Sequence, residues 1–425
     1  MAKQGKVPFT PEPYSEAIIA NYNIRSDKSS TLWLYIEDTG LWSNNGARLI
    51  EKVLRERYLE PAILSIYHVR EIISDLKSRS LRDKEFPPPL RHVIPFNNGA
   101  YNLKTREFRV FLPNDNFTSK LAVNYNPNSQ GCPFIDKIFH EFVKPEDVTE
   151  LYELTAYCMV PSYPNQEFFF ILGAGRNGKS VFVQVIISML GTNNISAVPL
   201  HSLQSDKFAG SDIHGKFANV CTEIRYNDLT NTDLIKKLTG GDLIRAQEKF
   251  KPSFNFHNYA KLIFVTNELP RTTDKTQAFY RRARIIPFPY TFEADREDKL
   301  LLEKITTQEL EGLAFKCIEI LHQMIDRNFT FTKPKGTLEV EKTYESISNP
   351  VATFIEECCQ EDADGFITKS DFKAKLDAWL RTNGHRIRDD KEIKDYMREK
   401  GINDEKRSLG KGNRKNSWTG IKWKA

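Results

Sequence analysis

The sequence predicts an α/β protein of three blocks, and three observations carry that prediction. Length is the first: at roughly 150 residues per domain, 425 residues make about three domains. The second is a change of pattern near residue 146, after which short apolar strands alternate with helices, as in a parallel sheet covered on both faces. The third is a glycine-rich octapeptide, GAGRNGKS at 173–180, set between one such strand and one such helix. The expected blocks are an α+β domain at 1–145, a parallel α/β domain at 146–330 and a compact winged-helix-like domain at 331–425.

Composition narrows the class. With 40% apolar and 28% charged residues, the chain has material for both a core and a solvated surface, which excludes a disordered or collagen-like chain. The opening MAKQGKVPFTPEPYSE places no apolar core behind its lysines, so no secretory signal is expected. FFFIL at 168–172 and VFVQVIISML at 181–190 are too short to span a bilayer. A cytoplasmic protein with no membrane partner is the expectation. Cys132, Cys158, Cys221, Cys317, Cys358 and Cys359 form no CxxC pair and meet no histidine cluster at ligand spacing, so neither a zinc site nor a disulfide framework is expected. The adjacent Cys358 and Cys359 read as core thiols.

In chain order, helical periodicity covers 49–58 and 65–81, and strand-like runs cover 31–36 and 106–112, with turn signals DTG at 38–40 and NNG at 97–99. EFPPPLRHVIPF at 85–96, with four prolines, reads as a rigid surface connection. In the middle block strands are expected at 168–172, 217–222, 260–266 and 284–288, with helices from Lys179 to Leu190 and at 302–325. Past 331, KPKG and SISNP bracket a linker and one long helical run; VATFIEECCQ, a DADGF turn, two more helices and a final strand-like NSWTGIKW follow.

The octapeptide fits G-x-x-x-x-G-K-[ST], a loop that binds nucleoside triphosphate. Gly173, Ala174, Gly175, Arg176, Asn177 and Gly178 let the backbone curl so that its N–H groups face phosphate, and the next helix adds its positive N-terminal end. Lys179 would reach the β- and γ-phosphates, and Ser180 would ligate magnesium.

Other parts of an ATP-hydrolysing site should lie on later parallel strands. KFANVCTEI at 216–224 ends in Glu223, 44 residues past Lys179, where a carboxylate can hold magnesium or orient the attacking water. AKLIFVTNELP at 260–270 presents Asn267, whose amide can hydrogen-bond the γ-phosphate and that water together. RRAR at 281–284 precedes the strand IIPF, and an arginine held at a subunit boundary can stabilise charge on a transferring phosphoryl group.

Together FFFILGAGRNGKS, KFANVCTE, KKLTGGDLIRAQEKFKPSFNF, KLIFVTNELP and FYRRARIIPF resemble the superfamily III helicases, in particular the phage and plasmid primase–helicase branch shared with the poxvirus primase–helicase. FNNGAYNLKTREF at 96–108 resembles the region ahead of the motor in that branch, and the tail its C-terminal winged-helix module. The resemblance implies an AAA+ P-loop ATPase that forms a hexameric ring and translocates on one DNA strand. It makes Lys179 and Ser180 the phosphate and magnesium residues, Glu223 the Walker B acid and Asn267 the sensor. Arg282 becomes the finger reaching a neighbour's ATP, because its spacing to Phe288 matches the related papillomavirus helicase; Arg281 and Arg284 remain alternatives. Many ring helicases carry two adjacent acids at the Walker B position, whereas Thr222 precedes Glu223 here, so one carboxylate does both jobs or Asp228 or a water helps.

Two segments bear on DNA. LIRAQEKFKPSFNF reads as two strands joined by a tight turn whose tip carries Lys249, Phe250 and Lys251. In the family this hairpin enters the ring channel; lysines can track the backbone charge while an aromatic packs on sugar or base. The last 25 residues hold seven Lys and Arg against two acids, which equals the whole net charge of +5. Lys411, Arg414 and Lys415 there, with Trp418 and Trp423 interleaved, suit a phosphate backbone.

The expectation is an ATP- and magnesium-dependent replicative DNA helicase of a phage, virus or plasmid, working in the host cytoplasm as a homo-hexamer on single-stranded and forked DNA. No carboxylate constellation for a primase is visible in the first 145 residues, so a separate primase partner is compatible with the reading. Two rivals stand beside it: an initiator that melts an origin without processive unwinding, and a non-helicase AAA+ remodelling or packaging ATPase.

Overall fold

The computed structural model describes residues 9–58, 65–82, 84–222, 229, 231–250, 253–270, 272, 277–293, 300–348, 350–383, 387–408 and 414–424. At its centre is a five-stranded sheet in the spatial order Ala283–Pro287, Phe168–Leu172, Lys261–Thr266, Ala218–Cys221, Ile195–Ser196, with every pair parallel. Side chains alternate across a strand, and the two faces feed two separate cores. Phe169, Ile171, Ile263 and Val265 enter one with Phe182 and Ile186 of the helix Lys179–Leu190. Phe168, Phe170, Leu262 and Phe264 enter the other with Ile235 and Leu238 of the helix Asp233–Gly240. Burial on both faces is why these strands read as unbroken apolar runs. They fall within a residue or so of the expected positions, and the helix Lys179–Leu190 matches at both ends, closed by Gly191 at φ +91°.

The core does not break near residue 145. Ile94, Phe96, Leu121 and Phe139 pack with the sheet and with the helix Thr307–Asp326 in one cluster. Residues 9–82 instead have a smaller core of their own, in which Ile18, Ile50, Val69 and Ile72 of three helices cover Leu32 and Leu34 of an antiparallel three-stranded sheet. The expected surface connection at 85–96 is corrected at its end: Val93–Phe96 is a wholly buried strand, paired with Gly99–Asn102 across the NNG turn. Pro95 fits because this strand lies at the edge of its sheet, where its missing N–H breaks no ladder bond. Of the run at 106–112 only Glu107–Arg109 is strand.

The C-terminal residues form a third core of Phe354, Phe372, Leu376, Leu380, Met397 and Trp418. Three helices, Pro350–Cys358, Lys369–Thr382 and Asp390–Glu399, pack on an antiparallel sheet ordered Cys359–Thr368, Arg414–Trp423, Asn403–Ser408. DADGF is not a turn: it lies inside the strand Cys359–Thr368 as a bulge, where the register shifts between Glu361 and Phe366. Cys359 is buried as expected, and Cys358 is half-buried.

The helix Lys335–Ser348 lies against the outer edge of Ala283–Pro287 and so covers one side of the central sheet. Beneath this junction Arg284, 1% exposed, donates to Glu167 through Nε at 2.5 Å and Nη2 at 3.2 Å, to Glu150 at 2.6 Å and to the Thr332 carbonyl at 3.0 Å. Burial opposes the guanidinium's charge, but Glu167 and Glu150 hold its pKa above the ordinary arginine value. On the other side of the pair, burial outweighs Arg284 and pushes the Glu150 carboxyl up.

Removing one partner of such a pair strands the other charge. Arg284→Ala is expected to lower unfolding free energy by about 3–5 kcal/mol, read from the denaturant midpoint. Arg281→Ala, at an exposed side chain, should stay within about 0.5 kcal/mol of wild type.

Candidate functional site

The loop 173–180 is wedged between three elements. Gly173, at the carboxyl end of its strand, donates its N–H to the Thr266 carbonyl at 3.2 Å. Gly175 (φ +105°), Arg176 (+48°) and Gly178 (+84°) curl the chain through the left-handed region. At Gly178 a Cβ would stand 2.2 Å from the Phe142 ring, and at Gly173 it would stand 2.1 Å from Asn177 Nδ2. Phe292 N–H closes the far side on the Arg176 carbonyl at 2.7 Å. No side chain caps the helix Lys179–Leu190 at Gly178. Its first N–H groups and dipole therefore serve the loop.

Lys179 sits at the centre of this arrangement, 6% exposed. Its ammonium donates to the Gly173 carbonyl at 2.5 Å, to Asn177 Oδ1 at 3.0 Å and to Asn267 Oδ1 at 3.2 Å. Burial holds its pKa below the usual lysine value. Asn177 is pinned in turn by donating Nδ2 to the Phe288 carbonyl at 3.2 Å. Asn267 arrives because Lys261–Thr266 lies directly beside Phe168–Leu172, with Thr266 opposite Leu172. Thr266 Oγ1 then donates to the Glu268 carbonyl at 2.5 Å and accepts the Glu268 N–H at 3.2 Å, holding the turn. Ala174, Arg176 and Ser180 are exposed at the mouth. An ammonium with polar partners that could be exchanged, beside an uncapped helix start, is chemistry suited to an anion.

Glu223 and Asp228 lie outside the described residues. The strand leading toward them, Ala218–Cys221, pairs with Lys261–Phe264 and so runs toward the same edge of the sheet as the loop. Among the described residues there is no cluster of His, Cys, Asp and Glu that could hold a metal by itself. No helix among them is long and apolar enough to cross a membrane.

The three arginines of RRAR separate sharply. Arg284 is taken up by its two glutamates, which removes it from the alternatives for a residue reaching out of the subunit. Arg282, 8% exposed, donates Nη1 to the Ala278 carbonyl at 2.7 Å, and its Nε is buried with no partner among the described residues. Burial, then neighbouring Arg281, lowers its pKa. Arg281 is exposed. The Arg282 carbonyl accepts from Phe168 N–H at 2.7 Å, which puts Arg282 at the amino end of the strands. The loop stands at the carboxyl end, about 16 Å of strand away.

The expected hairpin is present as Leu243–Gln247 paired with Ser253–His257. At its tip Phe250 is 93% exposed at φ +65°, with the Lys249 ammonium 5.2 Å from its ring; Lys251 lies outside the described residues. In the tail Arg414 and Lys415 are exposed, and Lys411 lies outside the described residues. Arg407, which sequence reasoning did not single out, stands directly opposite Lys415. Its strand, Asn403–Ser408, is exposed at every residue and has no apolar alternation to reveal it.

Residues 18–144 match a family model described as D5 N terminal like, and residues 171–282 match one described as a family of unknown function (DUF5906). The 184R protein of Invertebrate iridescent virus 6, provisionally named a helicase, is 26% identical over 306 residues, 62% of this chain and 31% of its own length. The L207/L206 protein of Acanthamoeba polyphaga mimivirus, named likewise, is 26% identical over 208 residues, 46% of this chain and 22% of its own. The chain thus spans about a third or less of these relatives. Among solved structures, the apo C-terminal region of NrS-1 shares the fold at TM-score 0.57 and 10% identity, covering 96% of this chain and 98% of that one.

Gly178→Ala tests the loop. The methyl group would meet Phe142 in a backbone conformation that alanine disfavours. The unfolding free energy should fall by about 1–3 kcal/mol, the cost of a side chain forced into that backbone region, read from the denaturant midpoint.

Proposed function

We propose that this chain is the motor of an ATP-dependent DNA helicase acting in replication of a virus, phage or plasmid. What carries the reading is the buried Lys179 ammonium, gathered with Asn267 at an uncapped helix start, in a chain similar to viral proteins named as helicases. Lys179 exchanges its loop carbonyl for phosphate oxygen, and the backbone of residues 173–178 wraps the phosphate chain. Asn267, already within hydrogen-bond reach of Lys179, holds the attacking water. Ser180 and Glu223 would hold magnesium, which would supply charge neutralisation for the phosphates.

Subunits assemble as a ring, in which an arginine of the pair Arg281 and Arg282 completes the neighbour's site. The separation of these arginines from their own loop supports action between subunits over action within one. Channel hairpins carry Lys249, Phe250 and Lys251 along single-stranded DNA. The C-terminal domain, read as winged-helix-like from its three helices and three strands, adds duplex contacts through Lys411, Arg414 and Lys415.

The deciding experiment is ATP-dependent strand displacement on a forked DNA duplex with Lys179→Ala as control. Displacement by the wild type alone is expected. DNA-stimulated hydrolysis without displacement would overturn processive unwinding in favour of an origin-melting initiator. Subunit sharing has its own check. Lys179→Ala and Arg282→Ala proteins, each inactive alone, should recover ATP hydrolysis when mixed, because some interfaces then pair an intact Lys179 with an intact Arg282.

A further inference from the structure

The helix Lys335–Ser348 does more than cover a sheet edge. Near its start the Thr337 hydroxyl donates to Glu150 at 2.6 Å, next to the Arg284 guanidinium. One turn on, Glu341 is hydrogen-bonded to the backbone of Ile285 in the edge strand. Seven residues past Thr337, about 10.5 Å of helix rise, Tyr344 is buried against Phe170 and Tyr280 and donates its hydroxyl to the Pro270 carbonyl at 2.7 Å.

Pro270 lies three residues past Asn267, just after the bend at Asn267 and Glu268. Thr266 fixes the front of that turn through its hydroxyl, and Tyr344 fixes its back from a different element. Asn267 is suspended between the two, with its amide oxygen on Lys179. The helix holding Tyr344 ends at Ser348, and the C-terminal domain begins at Pro350.

We propose that Tyr344 is a positioning residue for Asn267, setting the turn from which the amide reaches Lys179 and tying that turn to the C-terminal domain. The proposal rests on the reading of Asn267 given above. Tyr344→Phe removes one oxygen and keeps the ring packing, so it separates the hydrogen bond from the fold. Expected is a fall in kcat for ATP hydrolysis of about tenfold or more, since small displacements of a reacting group cost that much, with KM for ATP and the melting midpoint close to wild type. Because Tyr344 acts through Asn267, Tyr344→Phe should add nothing further in an Asn267→Ala background. Wild-type turnover in Tyr344→Phe, or a loss that multiplies with that of Asn267→Ala, would overturn the proposal. Full turnover in Asn267→Ala alone would instead sink the assignment of Asn267, and the proposal with it.

Discussion

Strands buried on both faces leave room for polar chemistry only beyond their ends, and the surroundings of Lys179 follow from that constraint. Neither Phe168–Leu172 nor Lys261–Thr266 has a solvent face. Ligand-binding groups in such a sheet collect past the carboxyl ends, where neighbouring strands leave in different directions. Here one strand turns into the glycine loop and its neighbour into the Asn267 turn. The two are drawn together by a lysine that is 6% exposed and bonds to three oxygens of the protein. A buried ammonium has to be paired, and the pairing shapes the site before any ligand arrives.

The other end of the sheet is governed by the same economy of buried charge with the opposite outcome. Arg284 enters the interior and is closed in by two carboxylates from distant parts of the chain, Glu150 and Glu167. Arg281, three residues earlier, stays in solvent. One arginine is thereby committed to holding the strand in place, Arg282 is largely buried beside it, and only Arg281 of the three stands open to a second molecule.

How much of this was legible follows from where the information lies. The loop, its helix and the flanking strands are local: glycine placement, a helix opening at Lys179 and apolar runs bounded by turns. Long-range partnerships left no local trace. Nothing in RRAR tells which arginine faces inward, since Glu150 and Glu167 lie more than a hundred residues away. The burial of Val93–Phe96 was hidden by a proline that only an edge strand accepts, and the bulge within Cys359–Thr368 by a sequence with turn chemistry. The union of residues 93–143 with the central core depends on packing against a helix two hundred residues later. Glu223, the acid on which the sequence reading leaned, lies outside the described residues.

The helix along the edge of Ala283–Pro287 also decides where the chain can be cut. A boundary drawn at residue 330 from sequence pattern alone would leave that strand with a bare row of backbone donors and acceptors, the form of surface on which sheets join edge to edge. It would also remove the Thr337 hydroxyl from Glu150 and Val340 and Tyr344 from the second core. A fragment ending there would gain a sticky flank, whereas one ending at Ser348 would keep its shield. The central domain, kept whole, therefore includes a helix that belongs, by sequence, to the tail.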